Sequence, residues 1–98
     1  MNYSMTKDGD ALTVTVWGPL DINSSPELEK VLESELDDIV DFTVNLTHVT
    51  YISSMGLRLL LKWQKRMYKQ GSMHVVGVPE EVMGIFVETG FDEILDIR

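Results

Sequence analysis

The 98-residue sequence contains no cysteine. This absence excludes disulfide bonds, thiolate zinc sites and cysteine nucleophiles, and it is compatible with a reducing compartment such as the cytoplasm. Basic residues are also few, because 16 acidic residues stand against 8 basic ones and give a formal net charge of -8. A chain of this charge repels nucleic acid and anionic membrane surfaces, so a protein partner is favoured.

Long apolar runs are missing as well. The N-terminal residues 1–8 have no basic-then-apolar signal region, and stretches such as residues 59–61 are far shorter than a membrane span. Apolar residues make up 44% of the chain and charged residues 24%, which is typical of an ordinary globular domain. We therefore expect one domain over residues 1–98, located in the cytoplasm, with neither a classical export signal nor a membrane insertion.

Apolar periodicity predicts alternating strands and helices. Period-2 alternation predicts an N-terminal hairpin, with residues 3–7 as its first arm and the turn at Asp8-Gly9. Ser24, Pro26 and Glu27 are typical of a helix start. The remaining expected elements are a strand at 42–46, a polar connection at 47–48, an apolar stretch at 49–52, a helix at 55–70 with Gly71 as a left-handed C-cap, a strand at 74–78, a helix at 79–88 and a strand at 94–97.

The order of these elements is ββαβαβαβ. Strands that alternate with helices at this spacing favour parallel pairing through right-handed crossovers, while the hairpin adds an antiparallel edge. The sequence therefore predicts an α/β domain with a mostly parallel mixed sheet of about five strands.

The segment with most chemical information is the predicted strand-to-helix turn at residues 51–58. The hydroxyls of Ser53 and Ser54 stand there at a helix N-terminus, where unpaired N–H groups and the helix dipole favour an anion such as phosphate. The alternative is that both serines are only helix caps, because serine is a preferred capping residue.

This segment resembles a known loop. Ser53-Ser54-Met55-Gly56-Leu57-Arg58 is similar to the Asp-Ser-Ser/Thr/Ala-Gly-Leu loop of STAS domains. Residues 18–21 resemble the family's Gly-x-Leu-Asp, residues 44–46 precede the loop at the family spacing, and residues 89–97 resemble its closing segment. The resemblance covers nearly the whole chain, and it implies a STAS domain of the anti-sigma factor antagonist type.

The resemblance implies a binding protein and not an enzyme, with no cofactor and no metal. Its expected partners are an anti-sigma factor with serine kinase activity, which phosphorylates Ser54 and releases the antagonist, and a phosphoserine phosphatase. Ser53 and Asn45 stand where many members have aspartate, so Ser53 is the alternative acceptor. The expected partner-binding residues are Asp21, Ser53, Ser54, Met55, Gly56, Leu57 and Arg58.

Other functions remain open at this point. The same surface could serve a constitutive STAS scaffold or a transporter-associated subunit without phosphorylation. A third hypothesis is an enzyme or small-ligand binder, but a triad of Ser54, His74 and Asp21 lacks a nucleophile-elbow motif.

The helix after Ser54 is basic. This charge indicates either a docking face or a solvated face balanced by the acidic helix that precedes it. The basic residues of the helix after Ser54 are Arg58, Lys62, Lys65, Arg66 and Lys69. His48, expected in a turn, and His74 are interpreted as structural.

Overall fold

The computed structural model describes residues 2–98 and begins with the expected hairpin. Strand β1 (Asn2–Asp8) pairs antiparallel with β2 (Ala11–Leu20), from Asn2 opposite Trp17 to Asp8 opposite Ala11. The tight turn requires a left-handed residue, and Gly9 supplies it with φ +62°.

Two further strands extend the sheet in parallel. Strand β3 (Asp41–Ile52) pairs with β2, and β4 (Ser72–Val76) pairs with β3, so the strand order is β1-β2-β3-β4. The prediction of two apolar stretches separated by a polar connection was wrong, because β3 is one continuous strand. A register shift between Thr15 and Trp17 adds one residue of β3 and leaves His48 opposite Trp17, so His48 lies in a strand and not in a turn. A second shift, between Gly18 and Pro19, absorbs Thr50.

Three helices connect or follow the strands. Helix α1 (Ser25–Glu35) joins β2 to β3, α2 (Ser54–Gln70) joins β3 to β4, and α3 (Glu80–Thr89) follows β4, with Pro79 at its N-cap. These bounds confirm the three predicted helices to within one or two residues at most ends. Ser24 is at the N-cap of α1, but its side chain makes no capping hydrogen bond.

The predicted fifth strand at 94–97 is absent from the sheet described over residues 2–98. A 3₁₀ helix (Phe91–Glu93) precedes it, and the Leu95 N–H still donates to the Phe91 carbonyl at 2.9 Å. Only the last residues therefore reach β4, where Ile97 forms an isolated parallel bridge with Val75. The observed sheet has four strands.

Gly71 ends α2, but not in the predicted left-handed conformation. Its φ is 174°, which is extended backbone that any residue adopts. Glycine is needed there for a different reason: a Cβ would collide with the carbonyl group of Val40. The neighbouring Ser72 N–H donates to that same carbonyl at 2.8 Å, so the close approach places β4 beside β3.

The core lies between one face of the sheet and the helices. Leu12, Val14 and Val16 of β2 are buried, whereas the alternate Thr13 and Thr15 are partly exposed on the other face. Helix α2 contributes the largest share of helical core residues, namely Leu57, Leu59, Leu60, Trp63 and Met67. Trp63 meets Phe42 of β3 edge-to-face, with ring centroids 5.4 Å apart. The packing fixes α2, and with it the position of Ser54 at its start.

Candidate partner-binding site

The candidate site lies where β2 and β3 end. Leu20 and Ile52, the last residues of the two strands, are register partners. The Ser53 N–H donates to the Leu20 carbonyl at 3.0 Å, so the loop before α2 starts beside the loop before α1. Because the carboxyl ends of parallel strands meet at one edge of a sheet, Asp21 and Ser53 become neighbours despite their separation in sequence.

The two serines of the loop differ in exposure. Ser54 is the first residue of α2 and is exposed. Ser53 is at the N-cap in extended conformation, yet its Oγ is buried and has no hydrogen-bond partner within the described residues. The capping hypothesis is therefore wrong for the side chain of Ser53, which makes no capping hydrogen bond. Of the two hydroxyls, only that of Ser54 belongs to an exposed residue.

The start of α2 is electropositive. Its first intrahelical bond runs from the Leu57 N–H to the Ser53 carbonyl at 2.9 Å, so the preceding N–H groups point out of the helix end. The first turn holds no acidic residue that would offset the positive end of the dipole. Arg58 is exposed one turn after Ser54. This end of α2 suits a negative charge on Ser54.

Asp21 organises the adjacent loop and is partly exposed. Its Oδ1 accepts hydrogen bonds from the N–H groups of Asn23 at 2.9 Å and Ser24 at 3.1 Å. The Ser24 hydroxyl donates to the Pro19 carbonyl at 2.8 Å and accepts from the Asp21 N–H at 3.0 Å. The Asp21 side chain therefore stabilises the turn before α1. The sequence did not reveal the contribution of Ser24, because Pro19 and Ser24 meet only once the loop is closed.

The structure divides the predicted partner-binding residues into two groups. Ser54 and Arg58 are exposed, and Asp21 and Met55 are partly exposed. Gly56 and Leu57 are buried, and a Cβ on Gly56 would collide with the Leu20 carbonyl. These two residues position the loop beneath the surface that the others present.

Asn45, one of the two positions where aspartate was expected, lies within β3 and not in the loop. Its Oδ1 accepts hydrogen bonds from the Thr47 N–H at 3.0 Å and the Thr47 hydroxyl at 2.6 Å. Asn45 therefore supports the irregular part of β3. Beside it, Trp17 stacks on His48 with ring centroids 5.1 Å apart and 3° between the ring planes. Sequence reasoning missed this stack, because the register shift that aligns the two rings is not visible in the sequence.

The structure does not assemble the imagined catalytic triad. His74 lies near the start of β4, where its Nδ1 is 2.9 Å from Asp96 and its Nε2 is 3.4 Å from Asp41. Asp41 begins β3, whereas Ser54 follows the carboxyl end of the same strand. His74 is therefore at the opposite end of the sheet from Ser54.

The basic residues of α2 fall into two sets. Lys62 forms an ion pair with Glu29, and Arg66 forms one with Asp37 at 2.8 Å and donates to the Glu33 carbonyl at 2.7 Å. For Lys62, the interpretation as a face balanced by the acidic helix is confirmed; Arg66 instead pairs with Asp37, which follows that helix. Within the part of the chain that the structure describes, Arg58, Lys65 and Lys69 form no ion pair.

Between residues 2 and 98, no group of three or more histidine, aspartate or glutamate side chains is placed to hold a metal ion. In that same range, no helix is both long and apolar enough to cross a membrane.

Known proteins resemble this chain over its full length. The family model for the STAS domain matches residues 2–98. An anti-sigma-B factor antagonist of Staphylococcus aureus (strain NCTC 8325 / PS 47) is 30% identical over 100 residues, which covers 100% of this chain and 93% of the relative.

Solved structures share the fold. The anti-sigma factor antagonist SpoIIAA in its unphosphorylated form matches with a TM-score of 0.84 at 12% identity, over 99% of this chain and 88% of that one. Its phosphorylated form, from Bacillus, matches with a TM-score of 0.77. A sulfate transporter family protein from Wolinella succinogenes matches with a TM-score of 0.77 at 23% identity, over 88% and 71% of the two chains. At these identities the structural likeness establishes the fold alone.

Proposed function

This chain belongs to the STAS domain family, and we propose that it is an anti-sigma factor antagonist whose binding is switched off by phosphorylation of Ser54. In this proposal its partner is an anti-sigma factor with serine kinase activity, and a phosphoserine phosphatase restores the binding form. The chain acts in the cytoplasm, regulates sigma-factor-dependent transcription and catalyses no reaction itself. The curated relative that carries the name anti-sigma-B factor antagonist supports the partner class.

The observation that carries the proposal is the exposure of Ser54 at the start of α2. A kinase must reach the acceptor hydroxyl, and Ser54 is exposed whereas the Ser53 Oγ is buried. Ser54 shares this end of the sheet with Asp21, Met55 and Arg58, which are also exposed or partly exposed. Ser54 is therefore the acceptor in this proposal, and Ser53 is not.

The switch follows from electrostatics. A phosphate adds a charge of about -1.5 to -2 at neutral pH. In the free protein this charge meets the N–H groups at the start of α2 and has Arg58 one turn away, so the fold tolerates it. In the complex the phosphate would be buried against the partner, at a cost of roughly 3 to 5 kcal/mol if it has no compensating charge. Since about 1.4 kcal/mol is tenfold in affinity, this cost weakens binding by roughly two to four orders of magnitude.

The test compares variants as baits in a pull-down from lysate of the source organism, with mass spectrometry of the retained proteins. Wild type and Ser54→Ala are expected to retain a serine-kinase-like anti-sigma factor, and Ser54→Asp to lose it. Ser34→Asp adds the same charge at an exposed serine of α1 and is the matched control that should retain the partner. Equal retention by Ser54→Asp and Ser54→Ala would contradict the switch.

A second candidate function is a constitutive STAS scaffold or transporter-associated subunit. The observation that favours it is Ser53, which supplies no carboxylate beside Ser54 and whose hydroxyl is buried. The likeness to a sulfate transporter family protein is compatible with it in fold. Two results would support this function over the first. The protein would be part of a large complex whose composition does not change after phosphatase treatment, and the Ser54→Asp variant would enter the same complex.

A further inference from the structure

We propose that a groove on the second half of α2 binds an acidic amphipathic helix of a partner protein. The groove has a volume of about 570 Å³. It lies between α2 and the C-terminal turn, and the residues that line it, called here the α2 groove, are Leu61, Gln64, Lys65, Tyr68, Lys69 and Ile94.

The floor of the α2 groove is apolar and uncovered. Tyr68 is 85% exposed and Ile94 is 47% exposed, although both are large hydrophobic residues. The lining residues of α2 recur every three or four positions from Leu61 to Tyr68, which is about two turns along one helix face. A partner helix that lies along this face would place its own apolar residues, at the same spacing, between Tyr68 and Ile94.

The rim of the α2 groove is basic. Lys65 and Lys69 form no ion pair with any residue from 2 to 98, in contrast to Lys62 and Arg66 on the neighbouring face of the helix. The chain as a whole is acidic, with a net charge of -8. At physiological ionic strength, charges more than about 8 Å apart are largely screened. The two unpaired lysines therefore keep a positive charge on the α2 side of the rim, while Asp92 and Glu93 precede Ile94 on the side of the C-terminal turn. An occupant with carboxylates beside its apolar residues complements both the floor and the rim.

The size of the α2 groove favours a short segment over a second folded copy of this chain. Six residues line it, whereas a stable protein interface uses about 20 to 30 residues on each side. A single amphipathic helix needs only the two turns that the groove offers.

Gln64 adds a polar feature to the wall of the α2 groove. Its side-chain oxygen is buried and has no hydrogen-bond partner within residues 2–98. Buried acceptors are normally satisfied by an N–H or O–H donor, which a carboxylate does not supply, so Gln64 does not select for an acidic occupant.

The α2 groove is separate from the proposed switch. Tyr68 is fourteen residues after Ser54, which is roughly 21 Å along a helix at about 1.5 Å per residue. The two surfaces can therefore be occupied independently, and the groove does not depend on phosphorylation of Ser54.

The experiment titrates the full chain with two designed peptides and follows its amide resonances by NMR. The acidic peptide has about 15 residues, leucine at helical spacing, glutamate beside each leucine and alanine elsewhere. The matched peptide has lysine in place of glutamate. The acidic peptide is expected to shift the resonances of the α2 groove and to leave Ser54 unchanged, and the lysine peptide to bind at least about tenfold more weakly.

Variants locate the site. Tyr68→Ala and the double variant Lys65→Glu/Lys69→Glu are each expected to weaken binding of the acidic peptide at least about tenfold. Both changes are at exposed positions, so the fold is retained. The matched control is Lys30→Glu, which reverses an exposed charge on α1 and should leave the affinity unchanged.

Three results would overturn the proposal. The first is equal affinity for the two peptides, or shifts confined to residues outside the α2 groove. The second is self-association that Tyr68→Ala abolishes while neither peptide binds, which would assign the groove to a second copy. The third is binding to phosphatidylserine vesicles without peptide binding, which would assign it to a lipid surface.

Discussion

Gly56 lies so close to the Leu20 carbonyl that a Cβ on Gly56 would collide with this oxygen and would come within 2.7 Å of the Ile52 side chain. The start of α2 is thus held directly against the ends of β2 and β3. The Ser53 N–H, which donates to the same Leu20 carbonyl, adds a second link. The exposed position of Ser54 follows from this contact, because the residues on either side of it are fixed to the sheet.

Gly56→Ala is expected to destabilise the fold by about 1–3 kcal/mol, because a backbone oxygen cannot move aside as the end of a side chain can. Urea unfolding measures the change. The matched control is Gly84→Ala in α3, where a Cβ meets nothing within 4 Å. Alanine there should stabilise by about 0.5–1 kcal/mol through helix propensity. If both alanine variants changed the stability in the same direction, the role of the Leu20 contact would be contradicted.

Ser24→Ala is expected to cost about 1–2 kcal/mol, since it removes a partner from the Pro19 carbonyl and from the Asp21 N–H. The adjacent Ser25 is equally buried, but its Oγ has no hydrogen-bond partner within the described residues. Ser25→Ala should therefore change the stability by no more than about 0.5 kcal/mol or increase it. Chemical denaturation of both variants checks the contrast, and equal losses would refute the assigned role of Ser24.

A charge at position 54 is expected to change the stability of the free protein, and the sign of the charge decides the direction. Ser54→Asp should stabilise the fold by about 0.3–1 kcal/mol, and Ser54→Lys should destabilise it by a similar amount, because the positive end of the α2 dipole lies there. Both effects should shrink in high salt. Urea unfolding at low and high ionic strength measures them. A large loss of stability in Ser54→Asp would mean that lost partner binding reflects unfolding.

Asp96 is expected to stabilise the fold at neutral pH and to lose this contribution in acid. The hydrogen bond with His74 lowers the pKa of the Asp96 carboxyl below its ordinary value of 3.8. Loss of solvent around the carboxyl raises this pKa, and Arg98 lowers it further. Because the folded pKa is the lower one, the contribution is complete above pH 3.8 and is lost as the pH falls below this value. Wild type should therefore be more stable than Asp96→Asn at pH 6, and the difference should vanish in stronger acid. Thermal unfolding across this pH range measures it; a difference that grows in acid would contradict the sign.

Much of the architecture could be predicted because it depends on local patterns. Alternation in β2 and the helical spacing of α2 reflect which face of each element meets the core. The turn at Gly9 and the helix start after Pro79 also follow from residue types that favour those conformations. The loop around Ser54 was recognised from its residues and their order.

The last strand and the role of Gly71 could not be predicted from the pattern of residue types along the sequence. The last strand was predicted from its apolar residues, but Phe91 holds Leu95 in a turn, so only Ile97 reaches Val75. Gly71 was expected for its φ, yet it is required by the carbonyl of Val40, which directly precedes β3. The contact at Gly71 joins distant parts of the chain, whereas the hydrogen bond from Leu95 to Phe91 is a local turn that the apolar alternation does not reveal.

The same distinction applies to function. The order of side chains along the chain sufficed for the element types, the α/β class and the candidate loop, because periodicity, turn chemistry and short motifs are encoded between near neighbours. Contacts across the fold determine which of the two serine hydroxyls is exposed, which lysines of α2 form no ion pair, and that Ile94 lines the same groove as Tyr68. Burial and ion pairing depend on the three-dimensional arrangement of distant segments, and these properties define the surfaces available to a partner.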